Sequence, residues 1–118
     1  MTGTNRFGDY LRKLRESRNP KITQEQLGDA VGKKKMTISQ IESGKNAPPQ
    51  GDFLEAIINA MDLSDEEEVT LRDLAALARG AIPSDILEYF NKTSGLRSAI
   101  RKAMQRNYTD ADWNNMIK

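Results

Sequence analysis

The sequence predicts an all-α protein, and three observations favour this fold class. Apolar residues recur at helical spacing along almost the whole chain. No stretch alternates between apolar and polar residues as a half-buried strand does. Capping residues and glycines divide the chain into segments of ordinary helical length. The 118 residues are enough to bury a core without disulfides or metals.

The composition excludes several classes of function. There is no cysteine, so disulfides and thiol chemistry are ruled out. There is no histidine either, which removes the commonest general base and the commonest transition-metal ligand. No apolar run approaches the ~20 residues of a membrane span, and the N-terminus has no signal-peptide core. We therefore expect a cytoplasmic protein that is not an enzyme and has no cofactor and no metal site.

The small net charge of +1 conceals a strong segregation along the chain. Residues 1–50 carry ten lysines and arginines against five acids, a net charge of +5. Residues 51–90 carry two against ten, and residues 91–118 carry six against two. A basic first half is typical of a module that binds a polyanion. Uneven charge on solvated helix faces is the alternative explanation, and charge alone does not decide between them.

Two helices are predicted before residue 33. The first carries an apolar stripe and ends near Asn19-Pro20. The second begins at a capping box formed by Thr23 and Gln26 and stops at Gly32. The stripe consists of Phe7, Tyr10, Leu11 and Leu14, and the second helix is expected to bury Leu27, Ala30 and Val31.

The third helix is predicted from about Lys35 to Ser43, with Ile38 and Ile41 buried and Gly44 as a left-handed cap. A breaker segment at 47–51 separates it from an apolar fourth helix. Ser64 then caps a fifth helix whose first turn is acidic, and this helix runs to Gly80. Three further helices are predicted from the segments that begin at Ile82, Leu96 and Thr109.

Residues 23–45 read TQEQLGDAVGKKKMTISQIESGK. This stretch resembles the helix-turn-helix of the XRE family, the phage repressor and Cro proteins. The similarity covers roughly residues 7–63 and includes the Thr-Gln start, the turn glycine and the pattern Thr-Ile-Ser-x-Ile-Glu-x-Gly-Lys. It implies a five-helix, repressor-like helix-turn-helix domain at 1–80, with the motif at about 23–43. A short helical C-terminal extension at 81–118 would serve dimerisation or partner binding.

The resemblance also implies which side chains meet double-stranded DNA. Leu27 and Val31 can share an apolar seam with Ile38 and Ile41, which leaves the other face of the third helix free to enter a major groove. The implied base contacts are Lys35, Met36, Ser39 and Gln40. Lysine can donate to guanine, glutamine can bond bidentately to adenine, and methionine can touch a thymine methyl group. The implied phosphate contacts are Gln24, Lys33, Lys34, Thr37, Lys45 and Asn46.

The turn departs from the family pattern. Lys33 stands where a small apolar residue commonly enters the core, and Lys34 where a serine or threonine usually caps the third helix. Thr37 with Gln40 offers a competing capping box, which would start the helix two residues later. We favour the family register. Glu42 is expected to be structural and to pair locally, because a carboxylate facing DNA is repelled.

Three functions remain to be separated. The first is a sequence-specific regulator, a homodimeric repressor of a phage or mobile-element promoter that binds a pseudo-palindromic operator. The second is an autoregulating antitoxin or anti-factor whose residues 81–118 hold a protein partner, and the third is a helical interaction module without DNA binding. Candidate dimer-interface residues are Leu74, Leu77, Ile82, Ile86, Tyr89 and Phe90.

Overall fold

A computed structural model of the protein describes residues 6–117, and the helices within this range confirm the all-α prediction. Eight helices and no strand are found there. They are α1 (Arg6–Ser17), α2 (Gln24–Val31), α3 (Lys35–Ser43), α4 (Gly51–Met61), α5 (Asp65–Ala78), α6 (Ser84–Lys92), α7 (Ser94–Gln105) and α8 (Asp110–Ile117). The chain divides into two compact units, Met1–Pro83 and Ser84–Lys118.

The first unit is built around one apolar core. α2 packs against α3 and α4, and α1 packs against α3 and α5. Every one of these helices contributes to the core, whose most buried large side chains are Leu11, Leu14, Leu27, Ile38, Ile57, Met61 and Leu71. The predicted burial of Ala30 is wrong, since this residue is exposed. α2 has only eight residues and buries the face that carries Leu27 and Gly28.

Two helices of this unit begin at capping boxes, one predicted in full from the sequence and one in part. Thr23 and Gln26 form the box of α2, as expected. Ser64 forms another with Glu67, at the acidic first turn of α5. The other carboxylate oxygen of Glu67 accepts a hydrogen bond from Arg18 Nη2 at 2.7 Å. This bond lowers the pKa of Glu67 from its ordinary value and ties the end of α1 to α5.

The second unit contains α6, α7 and α8, and it leaves most of its apolar side chains at least partly exposed. α6 packs against α7, and Ala103 is the one buried residue among those described in this unit. Tyr108 and Trp113 meet edge to face, with ring centroids 5.7 Å apart. Thr109 and Asp112 bond to each other at the start of α8, where the sequence predicts the beginning of a helical segment. Among the residues described in the structure, no helix has the length and apolar character needed to cross a membrane.

Candidate nucleic-acid interface

The turn between α2 and α3 closes against Gly28. α2 ends at Gly32, whose φ of +73° is left-handed. The Lys33 N–H donates to the carbonyl oxygen of Gly28 at 2.8 Å. A Cβ added at Gly28 would lie 2.7 Å from the carbonyl oxygen of Lys33. The turn therefore needs a glycine at this position in the helix.

Gly28 is not among the residues whose importance for the turn was predicted from the sequence. The readable signal was a glycine in the interior of a short amphipathic helix, where it costs about 1 kcal/mol relative to alanine. A residue kept at that cost often marks a close approach of two backbone segments.

α3 begins at Lys35, so the structure has the family register rather than the one that starts at Thr37. Lys34 is the N-cap, with extended backbone and no side-chain hydrogen bond to the helix. The expected loss of a cap at Lys34 is therefore confirmed. Thr37 lies in the first turn instead, and its N–H donates to the Lys34 carbonyl oxygen at 3.0 Å.

Lys33 has a role that its sequence position did not reveal. Its Nζ lies 4.9 Å from the centroid of the Phe53 ring on α4. Phe53 is half-buried and packs against the edge of the core. A cation over an aromatic face contributes about 0.5–1 kcal/mol at an exposed site. The lysine thus covers the ring where the family pattern has a small apolar side chain.

The four predicted base-contact residues share one face of α3. Ile38 and Ile41, on the opposite face, are 0% and 3% exposed and anchor the helix in the core. Lys35 and Met36 are exposed, and Ser39 and Gln40 are half-buried. All four line one shallow depression of about 550 Å³, and its other lining residues are Gln24, Ser43 and Lys45. Two of the predicted phosphate contacts thus lie beside the predicted base contacts.

The remaining predicted phosphate contacts flank this face. Lys33 and Lys34 are exposed in the turn before α3, and Asn46 is exposed in the segment after it. Thr37 is half-buried in the first turn of α3. Gln24 lies in the first turn of α2, and its Nε2 donates to Glu42 Oε1 at 3.0 Å. One of the two N–H donors of its side chain is therefore already engaged within the protein.

Glu42 is structural, as expected, but its partner is distant in sequence. Arg15 donates to it twice, from Nε at 2.7 Å and from Nη2 at 2.9 Å. The two residues are 5% and 6% exposed, and the hydrogen bonds from Arg15 to Glu42 raise the pKa of the arginine. Arg15 also donates from Nη1 to the Ile22 carbonyl oxygen at 2.9 Å. This cluster fixes α3 to α1 and to the segment before α2, and it neutralises a carboxylate next to a basic surface.

The segment that follows α3 returns to its last turn. The Asn46 N–H donates to the Gln40 carbonyl oxygen at 3.0 Å. The Asn46 side chain also donates, from Nδ2 to Gln40 Oε1, at 3.0 Å. Sequence reasoning placed both residues at the DNA but missed their contact, because it arises from the path of the chain after Gly44.

The predicted dimer-interface residues differ in exposure. Leu77 and Ile82, in the first unit, are 57% and 51% exposed. Leu74 is half-buried and packs against the core of that unit. In the second unit, Ile86 and Tyr89 are exposed and Phe90 is half-buried. No cluster of three or more potential metal-ligating side chains occurs within residues 6–117.

The chain matches a model of a protein family. It is described as a helix-turn-helix domain, and the match covers residues 6–71, more than half of the 118 residues. The matched range spans α1 to α4 and the first half of α5. Neither the curated proteins nor the solved structures contain a match to the chain.

Proposed function

The chain belongs to the helix-turn-helix domain family, and from this premise we propose that it is a sequence-specific transcriptional regulator that reads the major groove of DNA with α3. Domains of this family bind DNA and are typical of regulators that are not enzymes. The finer assignment, to the phage repressor and Cro proteins, is supported by the Thr-Ile-Ser-x-Ile-Glu-x-Gly-Lys pattern at 37–45.

The observation that carries this proposal is the two-sided character of α3. One side is held in the core by Ile38 and Ile41, so the helix has a defined orientation. The other side presents chemically different groups in one depression, with an ammonium at Lys35, a thioether at Met36, a hydroxyl at Ser39 and an amide at Gln40. Such a set can distinguish base edges in the major groove, since each base pair offers a distinct pattern of donors, acceptors and methyl groups there.

The basic residues around α3 supply the non-specific part of binding. Lys33, Lys34 and Lys45 are exposed on the two flanks of the helix. Each phosphate that a lysine neutralises releases counterions, so the affinity falls steeply as salt is added. We assign Gln24, Thr37 and Asn46 to the same phosphate-contacting rim, with Gln24 acting through the backbone amides at the start of α2.

The regulator is proposed to act as a homodimer on a pseudo-palindromic operator, as a repressor of a phage or mobile-element promoter. One helix-turn-helix reads a short half-site, and two copies related by a two-fold axis read two half-sites about one helical turn apart.

The test begins with selection of bound sequences from a random pool of duplex DNA by the full chain. The affinity of Lys35→Ala/Gln40→Ala for the selected duplex is then compared with that of the wild type. We expect a loss of about 10- to 100-fold, because a good base contact contributes ~1–3 kcal/mol of discrimination. Lys13→Ala, which removes an exposed lysine from α1, is the matched control and should bind within about twofold of wild type. Undiminished binding by the double variant would show that α3 is not the reader.

A second candidate function, the antitoxin or anti-factor, is favoured by one observation on the second unit. Its helices expose large apolar side chains, with Met104 at 69%, Met116 at 63% and Ile117 at 83%. Such a surface fits a protein partner. The discriminating experiment is to ask whether the product of the adjacent gene binds the full chain, and whether Met104→Asp abolishes that binding while DNA binding persists.

A further inference from the structure

Two side-chain amides are bonded to each other at the edge of the proposed reading face. Asn46 Nδ2 donates to Gln40 Oε1 at 3.0 Å, and the Asn46 backbone N–H donates to the Gln40 carbonyl oxygen at the same distance. The backbone bond holds Asn46 against the last turn of α3, which places its side chain within reach of Gln40. Gln40 is half-buried, which further limits the room for its side chain.

This contact couples the orientations of the two side-chain amides, and in the structure the glutamine oxygen faces Asn46. A glutamine offers one carbonyl oxygen that accepts and one NH₂ group that donates twice. With Oε1 turned to Asn46, Nε2 is the end of the amide that has no hydrogen-bond partner among the residues described. Turning the Gln40 amide over alone would set two NH₂ groups against each other, so the Gln40 amide can turn only together with the Asn46 amide.

We propose that Asn46 is a positioning residue that sets the base preference of Gln40. The inference rests on the proposed function, since it assumes that Gln40 faces base edges. In the orientation found in the structure, the Gln40 amide presents two donors, which fit an edge with two acceptors, the N7 and O6 edge of guanine. A freely turning amide also fits adenine, through one donor and one acceptor. Asn46 therefore acts on which base is read, in addition to any contact of its own with a phosphate.

Two substitutions of Asn46 separate this role from a phosphate contact. Asn46→Ala removes the donor and frees the Gln40 amide to turn. Asn46→Asp replaces the donor by a group that only accepts, so Nε2 turns towards the carboxylate and Oε1 faces outward. The base preference should then move towards bases that present a donor, adenine at N6 or cytosine at N4.

The experiment uses the full chain and a duplex selected from a random pool by the wild type. The base pair read by Gln40 is first located as the position at which Gln40→Ala loses its preference. Four duplexes that differ only there are then titrated with each Asn46 variant. We expect Asn46→Ala to reduce the preference for the best base by about tenfold, and Asn46→Asp to bind all four more weakly and to change their order.

Lys45→Ala is the matched control. It removes a charge from the adjacent position, so it should weaken binding to all four duplexes by the same factor and reduce the salt slope by about 1. If the Asn46 variants behave in this uniform way, with the order of the four duplexes unchanged, Asn46 is a phosphate contact and the inference is overturned.

A measurement without DNA keeps the inference separate from the proposed function. In the free protein, the ¹H and ¹⁵N resonances of the Gln40 side-chain amide should move in Asn46→Ala and stay in place in Lys45→Ala. Unchanged Gln40 resonances in Asn46→Ala would overturn the inference, whatever the DNA result. If the resonances move but the wild type enriches no sequence from the pool, the positioning contact stands and the proposed function fails.

Discussion

Gly28 shows how a single residue determines the geometry of the turn between α2 and α3. It lies inside α2, where alanine is the better helix former by about 1 kcal/mol. Its position against the Lys33 carbonyl oxygen leaves no space for a Cβ. The carbonyl oxygen of Gly28 accepts a hydrogen bond from the Lys33 N–H. The turn is therefore bonded to α2 at the point where the two backbone segments come closest.

We predict that Gly28→Ala destabilises the protein in spite of the gain in helix propensity. The added methyl group meets backbone rather than a flexible side chain, so the turn has to shift, at a cost of about 1–3 kcal/mol. Gly95→Ala is the matched control, because that glycine is also helical and a Cβ there meets nothing within 4 Å. The control should gain about 0.4–1 kcal/mol. Urea unfolding of both variants checks the prediction, and equal gains at the two sites would contradict it.

Lys34 offers a second test at the scale of a single residue, because its side chain supplies a positive charge but cannot cap α3. We predict that Lys34→Ser raises the free energy of unfolding by about 1 kcal/mol, since a hydroxyl can accept from the first turn of α3 and lysine cannot. The same change should weaken DNA binding and lower its salt slope by about 1. Lys34→Ala removes the charge without adding a cap, so it should share the binding defect and lack the gain in stability. A stabilised Lys34→Ala would refute the capping explanation.

Helix positions were more predictable from the sequence than the contacts between helices. α2 begins directly after its N-cap Thr23 and α3 ends directly before its C-cap Gly44, so both limits follow from neighbouring capping residues. The face of α3 that carries the predicted base contacts follows from the helical period, which places Ile38 and Ile41 on the opposite side. These signals are local, which is why they can be read without knowing the fold.

The features that were missed depend on residues brought together by folding. Glu42 was expected to pair locally, yet its partner Arg15 is 27 positions away. The contact between Gln40 and Asn46 depends on how the chain turns after α3. The surroundings of Gly28 depend on the path of the turn, and Ala30 is exposed because a short helix buries a narrow face. Spacing along one element contains no information about such neighbours.

The Arg15–Glu42 pair is predicted to be the main polar tie between α1 and α3. Removal of one partner of a buried ion pair costs about 3–5 kcal/mol, because the other charge is left buried and unpaired. We expect Glu42→Gln to lower the free energy of unfolding by about 3 kcal/mol in urea. Glu16→Gln is the matched control: its pair with Arg12 is exposed on the surface of α1 and should contribute at most about 0.5 kcal/mol. Similar losses in the free energy of unfolding of the two variants would contradict the prediction that the buried pair is the main polar contact between α1 and α3.

At the scale of the whole molecule, the segregation of charge along the chain agrees with the proposal that the first unit binds DNA through α3. The basic residues of the first fifty include the three lysines that surround the start of α3, whereas the first turn of α5 carries four acids. A reading face with positive flanks attracts DNA, and acids elsewhere on the same unit discourage binding in other orientations. The proposed two-fold operator requires two copies of the first unit, and the second unit exposes apolar side chains that can bury surface between two copies.

We predict that self-association depends on α6. Ile86 and Tyr89 are three residues apart on this helix and are 48% and 60% exposed, so each can bury apolar surface against a second copy. Ile86→Asp/Tyr89→Asp should raise the dimer dissociation constant at least about 30-fold, the effect of losing one strong interface residue. Sedimentation velocity of the full chain measures this directly.

Asn91→Asp is the control for this test, since it adds a negative charge to the same helix at an exposed polar position and should leave association unchanged. The consequence for DNA follows from linkage. A variant that cannot dimerise loses the gain from binding two half-sites at once, so its affinity for a full operator should approach its affinity for a half-site. A wild-type chain that sediments as a monomer in the presence and absence of its selected duplex would exclude the dimer, and the two-fold operator with it.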